Sequence, residues 1–180
     1  MINIYTDGAC AGNQSEENLG GWGAILEYGE HRKELFGGQI NTTNNRMEMT
    51  ALLEALQALT KDGLTVHCYS DSSYLMECFN KKWYLKWQTN GWMTSNKSPV
   101  ENKDLWEGLL SQIERHKEVK FYRVKGHLSV KNNADMDKWF KKFLEWNGKG
   151  FTKEDFLYVT KMNIEADALA NKGIDRLRNL

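Results

Sequence analysis

The sequence has little of what would place a chain outside the ordinary globular class. Its cysteines are few, three in 180 residues (Cys10, Cys68 and Cys78). They are odd in number and too widely spaced for a zinc pattern or a disulfide framework, so a reducing cytoplasm is the expected compartment. Net charge is absent, with 24 Lys and Arg against 24 Asp and Glu, which excludes the bulk basicity of a general nucleic-acid binder. No apolar run approaches the roughly 20 residues a membrane span needs. The opening MINIYTDG has no basic n-region and no apolar h-region, so no secretory signal and no membrane partner are expected. There is no internal repeat and no low-complexity segment. What is present is 41% hydrophobic and 12% aromatic residues, too much apolar material for disorder, in a length that suits a single domain with a real core.

The zero net charge hides an asymmetry. Residues 1–30 hold five acids (Asp7, Glu16, Glu17, Glu27, Glu30) and no Lys or Arg, whereas residues 81–125 hold ten bases and five acids. One segment is therefore basic, and the acids lie elsewhere.

Hydrophobic periodicity orders the chain. Ile2 to Thr6 alternates and stops at Asp7-Gly8, a strand running into a turn. Gly21–Tyr28 and His31–Phe36 are further strands, and the short Gly29-Glu30 link makes them antiparallel neighbours. Residues 44–60 change to helical period, with Met49, Leu52, Leu53, Leu56 and Leu59 on one stripe and Asn44 or Asn45 as the expected cap. Leu64–Tyr69 is a strand that halts at Ser70-Asp71-Ser72-Ser73, followed by a short helix through Phe79. Trp83, Trp87 and Trp92 then stand among Lys81, Lys82, Lys86 and Lys97. A helix over Asp104–Ile113 and a strand over Val119–Lys125 lead to Gly126-His127. Beyond His127 the chain turns helical, through Lys138–Trp146, a capped start at Thr152-x-x-Asp155, and a last helix over Asn163–Leu177. The order predicts an α/β domain with a five-stranded mixed sheet, its first three strands antiparallel, flanked by helices.

Several carboxylates sit where packing alone would not place them. Asp7 and Asp71 both end predicted strands; if those strands are parallel neighbours, both emerge at one sheet edge, where α/β ligand sites lie. Glu48 lies one turn before Leu52, on the apolar stripe of its helix, where a carboxylate costs several kcal/mol unless paired or metal-bound. Asp167 sits between Ala166 and Ala168 on a helix of small residues. Converging acids of this kind repel unless cations neutralise them, and an oxygen-only donor set selects Mg²⁺ or Mn²⁺ over zinc. Two such ions about 4 Å apart suit in-line attack on a phosphodiester, one readying the water and the other stabilising the leaving oxygen.

The motifs Tyr5-Thr6-Asp7-Gly8-Ala9-Cys10, Gly21-Trp22-Gly23-Ala24, Thr42-Thr43-Asn44-Asn45-Arg46-Met47-Glu48, Tyr69-Ser70-Asp71-Ser72-Ser73-Tyr74, Val124-Lys125-Gly126-His127 and Ala166-Asp167-Ala168-Leu169-Ala170 closely resemble, in this order, those of type 1 ribonuclease H. The resemblance spans residues 1–127 and 163–175. It implies a ribonuclease H-like fold and an endonuclease that hydrolyses the RNA strand of RNA–DNA hybrids to 5′-phosphate and 3′-hydroxyl ends. It implies two Mg²⁺ ions, with Mn²⁺ able to substitute, held by Asp7, Glu48, Asp71 and Asp167, and a mobile His127 assisting proton transfer and product release. It also implies that Asn13, Asn44 and Asn45 enter the minor groove, with the Cys10 backbone near the RNA strand. Thr43 would hold a DNA phosphate, Trp83 would lie against a deoxyribose, and Lys81, Lys82 and Lys86 would contact phosphates. Trp87 and Trp92 are expected to form a small satellite core. A monomer working on hybrid duplex is the resulting expectation, with 81–98 as substrate-binding handle. A resolvase- or integrase-like nuclease should lack the Thr43-Asn44-Asn45 set; a non-catalytic hybrid binder should have lost one of the acids.

The sequence departs from that family in three places. The loop after Asn13 is acidic (Glu16, Glu17), so these acids weaken binding or turn outward, and the handle tip, Gln88-Thr89-Asn90-Gly91, lacks basic residues, which predicts weaker hybrid affinity and greater salt sensitivity. His127 and Asp167 are separated by an insertion over roughly 130–160, expected to be a helical excursion that packs Trp139, Phe143 and Trp146 on the domain or, alternatively, offers those aromatics to a partner or to the hybrid. Within it Asn133-Ala134-Asp135 imitates the last acidic motif. Asp167 is preferred over Asp135 because Asn163-x-x-Ala166-Asp167-x-Leu169-Ala170 matches in full and opens a helix.

Overall fold

The computed structural model describes residues 1–11, 17–129, 131 and 133–180. Among them the element order is β1 (Ile2–Ala11), β2 (Leu19–Tyr28), β3 (His31–Ile40), α1 (Asn44–Gln57), β4 (Thr65–Ser70), α2 (Ser73–Asn80), α3 (Trp83–Thr89), α4 (Lys103–Glu114), β5 (Glu118–Arg123), α5 (Asn133–Asn147) and α6 (Lys153–Arg178). The sheet order is β3-β2-β1-β4-β5. β1–β2 and β2–β3 are antiparallel, β1–β4 and β4–β5 parallel. None of the described helices is long and apolar enough to cross a membrane.

Alternation along the strands divides the core between the two sheet faces. Ile4, Ala24, Val66 and Cys68 face one way and pack with Leu52, Leu56, Leu75, Trp106 and Leu109 of α1, α2 and α4. Their neighbours Tyr5, Ile25 and Tyr69 face the other way and pack with Met136, Phe143, Phe156 and Met162 of α5 and α6. On that second face the parallel register aligns Tyr5, Tyr69 and Tyr122. Their rings stack with centroids 5.1 Å apart at each step.

Four local expectations are corrected. β1 does not stop before Asp7 but runs on to Ala11, because β2 continues to pair with it as far as Ala11↔Leu19 after β4 has ended. The cap of α1 is Thr43, whose hydroxyl accepts from Arg46 N–H at 3.1 Å, not Asn44 or Asn45. The two helical pieces expected after Thr152 are one helix of 26 residues, α6. Thr152 and Asp155 form its capping box, and no Gly or Pro interrupts it before Gly173. Trp87 and Trp92 join the main core, not a satellite of it: Trp87 meets the fully buried Trp106 edge-on, ring centroids 5.4 Å apart.

Candidate active site

The last parallel pair of β1 and β4 is Thr6↔Ser70. Asp7 and Asp71 occupy the next position on each strand and emerge side by side, where β4 turns away and β1 continues with β2 alone. Glu48 comes from the second turn of α1, which crosses β1 closely. A Cβ on Gly8 would overlap the backbone of Met47 and Glu48, so glycine there sets how near α1 can approach. A Cβ on Gly126 would overlap the Asp71 carboxylate, so glycine there leaves that side chain its place. The start of α1 is tied to α4 by Arg46, whose guanidinium donates to both carboxylate oxygens of Asp104 at 3.1 and 2.6 Å.

Asp7, Glu48 and Asp71 each place a carboxylate oxygen within 4.8 Å of the others. Asp7 is 3% and Glu48 8% exposed. Burial pushes the Asp7 carboxyl up to about 9, and the neighbouring charge of Asp71 pushes the same way. Burial, then the charges of Asp7 and Asp71, hold Glu48 well above the ordinary carboxylate range. Asp71 is also raised by burial, against hydrogen bonds from Asp7, Glu48 and Asn163 and the charge of His127, which pull it down. In the absence of cations the cluster thus retains protons that isolated carboxylates would release. Glu48 Oε2 is buried without a hydrogen-bond partner among the described residues, an arrangement a structure avoids unless something else satisfies the oxygen. Three converging, proton-holding carboxylates with an orphaned oxygen fit a hard divalent cation well.

The three acids open on a cavity of about 590 Å³ that is also lined by Asp167, His127, Cys10, Asn44 and Asn45. Asp167 is outside the three-oxygen cluster but shares the cavity, and its hydrogen bond and charge both raise Asp7. Asp135 and Asp137 are exposed and do not line it; Asp137 is ion-paired to Lys153. His127 is exposed at a left-handed φ of 59°, costly for a residue with a Cβ. It also borders an adjoining cavity of about 440 Å³ with Asn163 and Asp167.

The other expected contact residues are more dispersed. The Cys10 N–H is already taken, donating to Asn44 Oδ1 at 2.8 Å. Thr43, Lys81, Lys82, Trp83 and Lys86 are exposed and lie outside the main cavity. Trp83 is linked to it through Tyr74, a cavity residue with its ring 6.3 Å away, and Lys81 Nζ lies 5.8 Å from the Trp83 ring. Lys82 lines a separate groove. Asn13 falls outside the described residues. Sequence reasoning missed Tyr74, Lys125 and Asn163 as site residues, although each belongs to a motif that carried the resemblance.

The chain matches the family model described as RNase H over residues 1–145. A ribonuclease H of Moorella thermoacetica is 50% identical over 136 residues, covering 76% of this chain and 86% of that one. A ribonuclease H of Symbiobacterium thermophilum is 52% identical over 136 residues, covering 76% and 89%. Among solved structures, LC9-RNase H1, described as a type 1 RNase H with the type 2 active-site motif, superposes with a TM-score of 0.62 at 26% identity, covering 82% of this chain and 72% of that one. LC11-RNase H1 in complex with RNA/DNA hybrid shares the fold at a TM-score of 0.62 and 19% identity, over 98% and 99% of the two chains. The family match ends within α5, short of Asp167; it is the folded cavity that sets Asp167 apart from Asp135 and Asp137.

Proposed function

Since this chain belongs to the ribonuclease H family as a type 1 member, we propose that it cuts the RNA strand of RNA–DNA hybrids with two divalent cations, Mg²⁺ by preference, leaving 5′-phosphate and 3′-hydroxyl ends. Ribonuclease H activity itself follows from the family. What supports the finer reading is the convergence of Asp7, Glu48 and Asp71 within 4.8 Å, with Glu48 Oε2 unpartnered.

Asp7, Glu48, Asp71 and Asp167 would hold the cations. When bound, these supply the Lewis acidity that readies a water and neutralises charge on the leaving oxygen. The chain's own residues do the rest. The buried walls of the cavity keep the carboxylates at fixed separation, so little reorganisation accompanies reaction. His127, exposed at the rim beside Asp71, accepts or delivers the proton of the departing or attacking oxygen. The Asn44 and Asn45 amides both donate and accept, which suits 2′-hydroxyls and base edges in a minor groove. Asn44 is oriented by the Cys10 N–H it accepts, so Cys10 acts by aiming that amide. Thr43 and the exposed Lys81, Lys82 and Lys86 supply phosphate contacts, and Trp83 a ring against a sugar that lacks the 2′-hydroxyl. Residues 81–98 form the handle and roughly 130–160 a helical insertion on a single domain, working as a cytoplasmic monomer.

One cleavage assay tests this. Labelled RNA–DNA hybrid, RNA duplex and DNA duplex are incubated with Mg²⁺, Mn²⁺ or chelator. Cleavage is expected in the hybrid's RNA strand alone, with either metal and not with chelator. Equal cutting of RNA duplex, or cutting that survives chelation, would refute the proposal.

A further inference from the structure

A track of rings and cations leads away from the catalytic cavity toward the β5 edge of the sheet, and apart from Lys82 at its far end the reaction above does not use it. Lys125 lines the cavity, and its Nζ lies 5.0 Å from the Trp139 ring. Lys138 Nζ stands 5.2 Å from the same ring. Trp139 and Trp146 are seven residues apart on α5, two turns along one face, with centroids 6.1 Å apart. The Arg123 guanidinium lies 4.0 Å over Trp146. Trp146 then lines a groove of about 510 Å³ with Asn147, Tyr122, Lys120 and Lys82, and among the described residues no acidic one lines that groove. None of Arg123, Lys125 and Lys138 is ion-paired among the described residues. Lys120 reaches Glu118 at 3.7 Å, with both side chains half exposed.

The chemistry of the track selects its occupant. An edge strand ordinarily invites an extended peptide, but this edge is plugged. Asn80 donates to the Phe121 carbonyl at 3.3 Å, and Asn147 takes both the N–H and the C=O of Arg123, at 2.9 and 2.8 Å. Half-exposed rings remain, stacked with cations that are unpaired among the described residues, and rings with cations are the means by which proteins hold single-stranded nucleic acid. A guanidinium stacked on an indole still directs its N–H groups outward to phosphate.

We propose that this track binds a single-stranded RNA extension of the substrate, continuous with the strand being cut. It begins at Lys125, within the carboxylate cavity that engages the scissile strand, and that continuity favours RNA over the complementary DNA. The proposal rests on the hybrid-cleaving reading above.

Steady-state cleavage by the full chain is compared on a blunt hybrid, the same hybrid with an RNA tail of about ten nucleotides, and one with a DNA tail. The RNA tail is expected to lower KM about tenfold and to steepen the dependence of log(1/KM) on log salt by about two. Arg123→Gln combined with Lys138→Gln should abolish that advantage and leave kcat and KM on the blunt hybrid unchanged. Lys138→Gln alone, at an exposed position, should remove part of it even if the double variant fails to fold. Equal KM for blunt and RNA-tailed hybrids, an equal benefit from the DNA tail, or an advantage that survives Lys138→Gln intact would overturn the track alone. No cleavage of any hybrid would overturn the functional reading and the track with it.

Discussion

Replacing Asp7 with asparagine removes a carboxyl group that the fold holds against its own preference. In the unfolded chain this group ionises near 3.8; in the cation-free fold, burial and Asp71 push it up to about 9. Between those values the folded state binds more protons than the unfolded state, so stability falls as pH rises, by up to about 1.4 kcal/mol per pH unit. By pH 7 the penalty has reached about 4 kcal/mol. Asparagine can still accept the Gly8 N–H, which donates to Asp7 Oδ1 at 2.9 Å, and its amide can donate to the remaining carboxylates. We expect Asp7→Asn to stabilise the cation-free protein by about 1–3 kcal/mol at pH 7, within the span of single substitutions, while abolishing cleavage. Urea melts in chelator should show the gain small near pH 5, growing toward pH 8 and level above about pH 9. Adding Mg²⁺ should stabilise the parent chain far more than the variant and narrow the gap. A variant less stable than its parent at pH 8 in chelator, or a gain equal at pH 5 and pH 8, would refute this account of the cluster.

Other outcomes follow from the same geometry. Asp167→Asn should reduce cleavage at least about a hundredfold, whereas Asp135→Asn and Asp137→Asn should leave it near the parent rate; a reversed order in a hybrid-cleavage assay would assign the fourth acid to α5. Gly8→Ala should lose activity out of proportion to stability, because the new methyl group displaces the backbone that carries Glu48; a parallel melt and rate measurement decides. His127→Ala should lower kcat about a hundredfold with little change in KM, and an unchanged kcat would remove His127 from the proton transfer. Thr152→Ala should cost about 1 kcal/mol by loss of the α6 cap, read as a lower melting temperature.

Much of this site was legible in the sequence because its signals are local. Asp7 and Asp71 were visible as acids at strand-like ends, and Glu48 as an acid on an apolar stripe; its 8% exposure bears that out. What escaped depends on partners far along the chain. Strand periodicity could not tell that β1 continues past Asp7, since that continuation rests on β2. Nor could it tell that the segment from Thr152 and the helix carrying Asp167 are one element, because a capping box marks where a helix begins and not how far it runs. Asp135 imitates the last acidic motif, and the separation comes from packing: Asp167 lines the cavity, whereas Asp135 and Asp137 are exposed outside it. The pairing of Lys125 with Trp139 was beyond reach for the same reason, as it exists once α5 lies beside the end of β5.

The continuity of α6 gives Asp167 an unusual mechanical situation. It stands on a rod about 39 Å long, gripped near one end by Phe140 and Phe143 against Phe156 and near the other by Lys172 and Arg176 over Phe36. Asp71 and His127 adjoin chain turns and can adjust by local backbone motion. Asp167 can shift appreciably only if the rod slides or rolls, so a change at Thr152, about 22 Å away along the axis, is geometrically able to reach it without any chain of side-chain contacts between them.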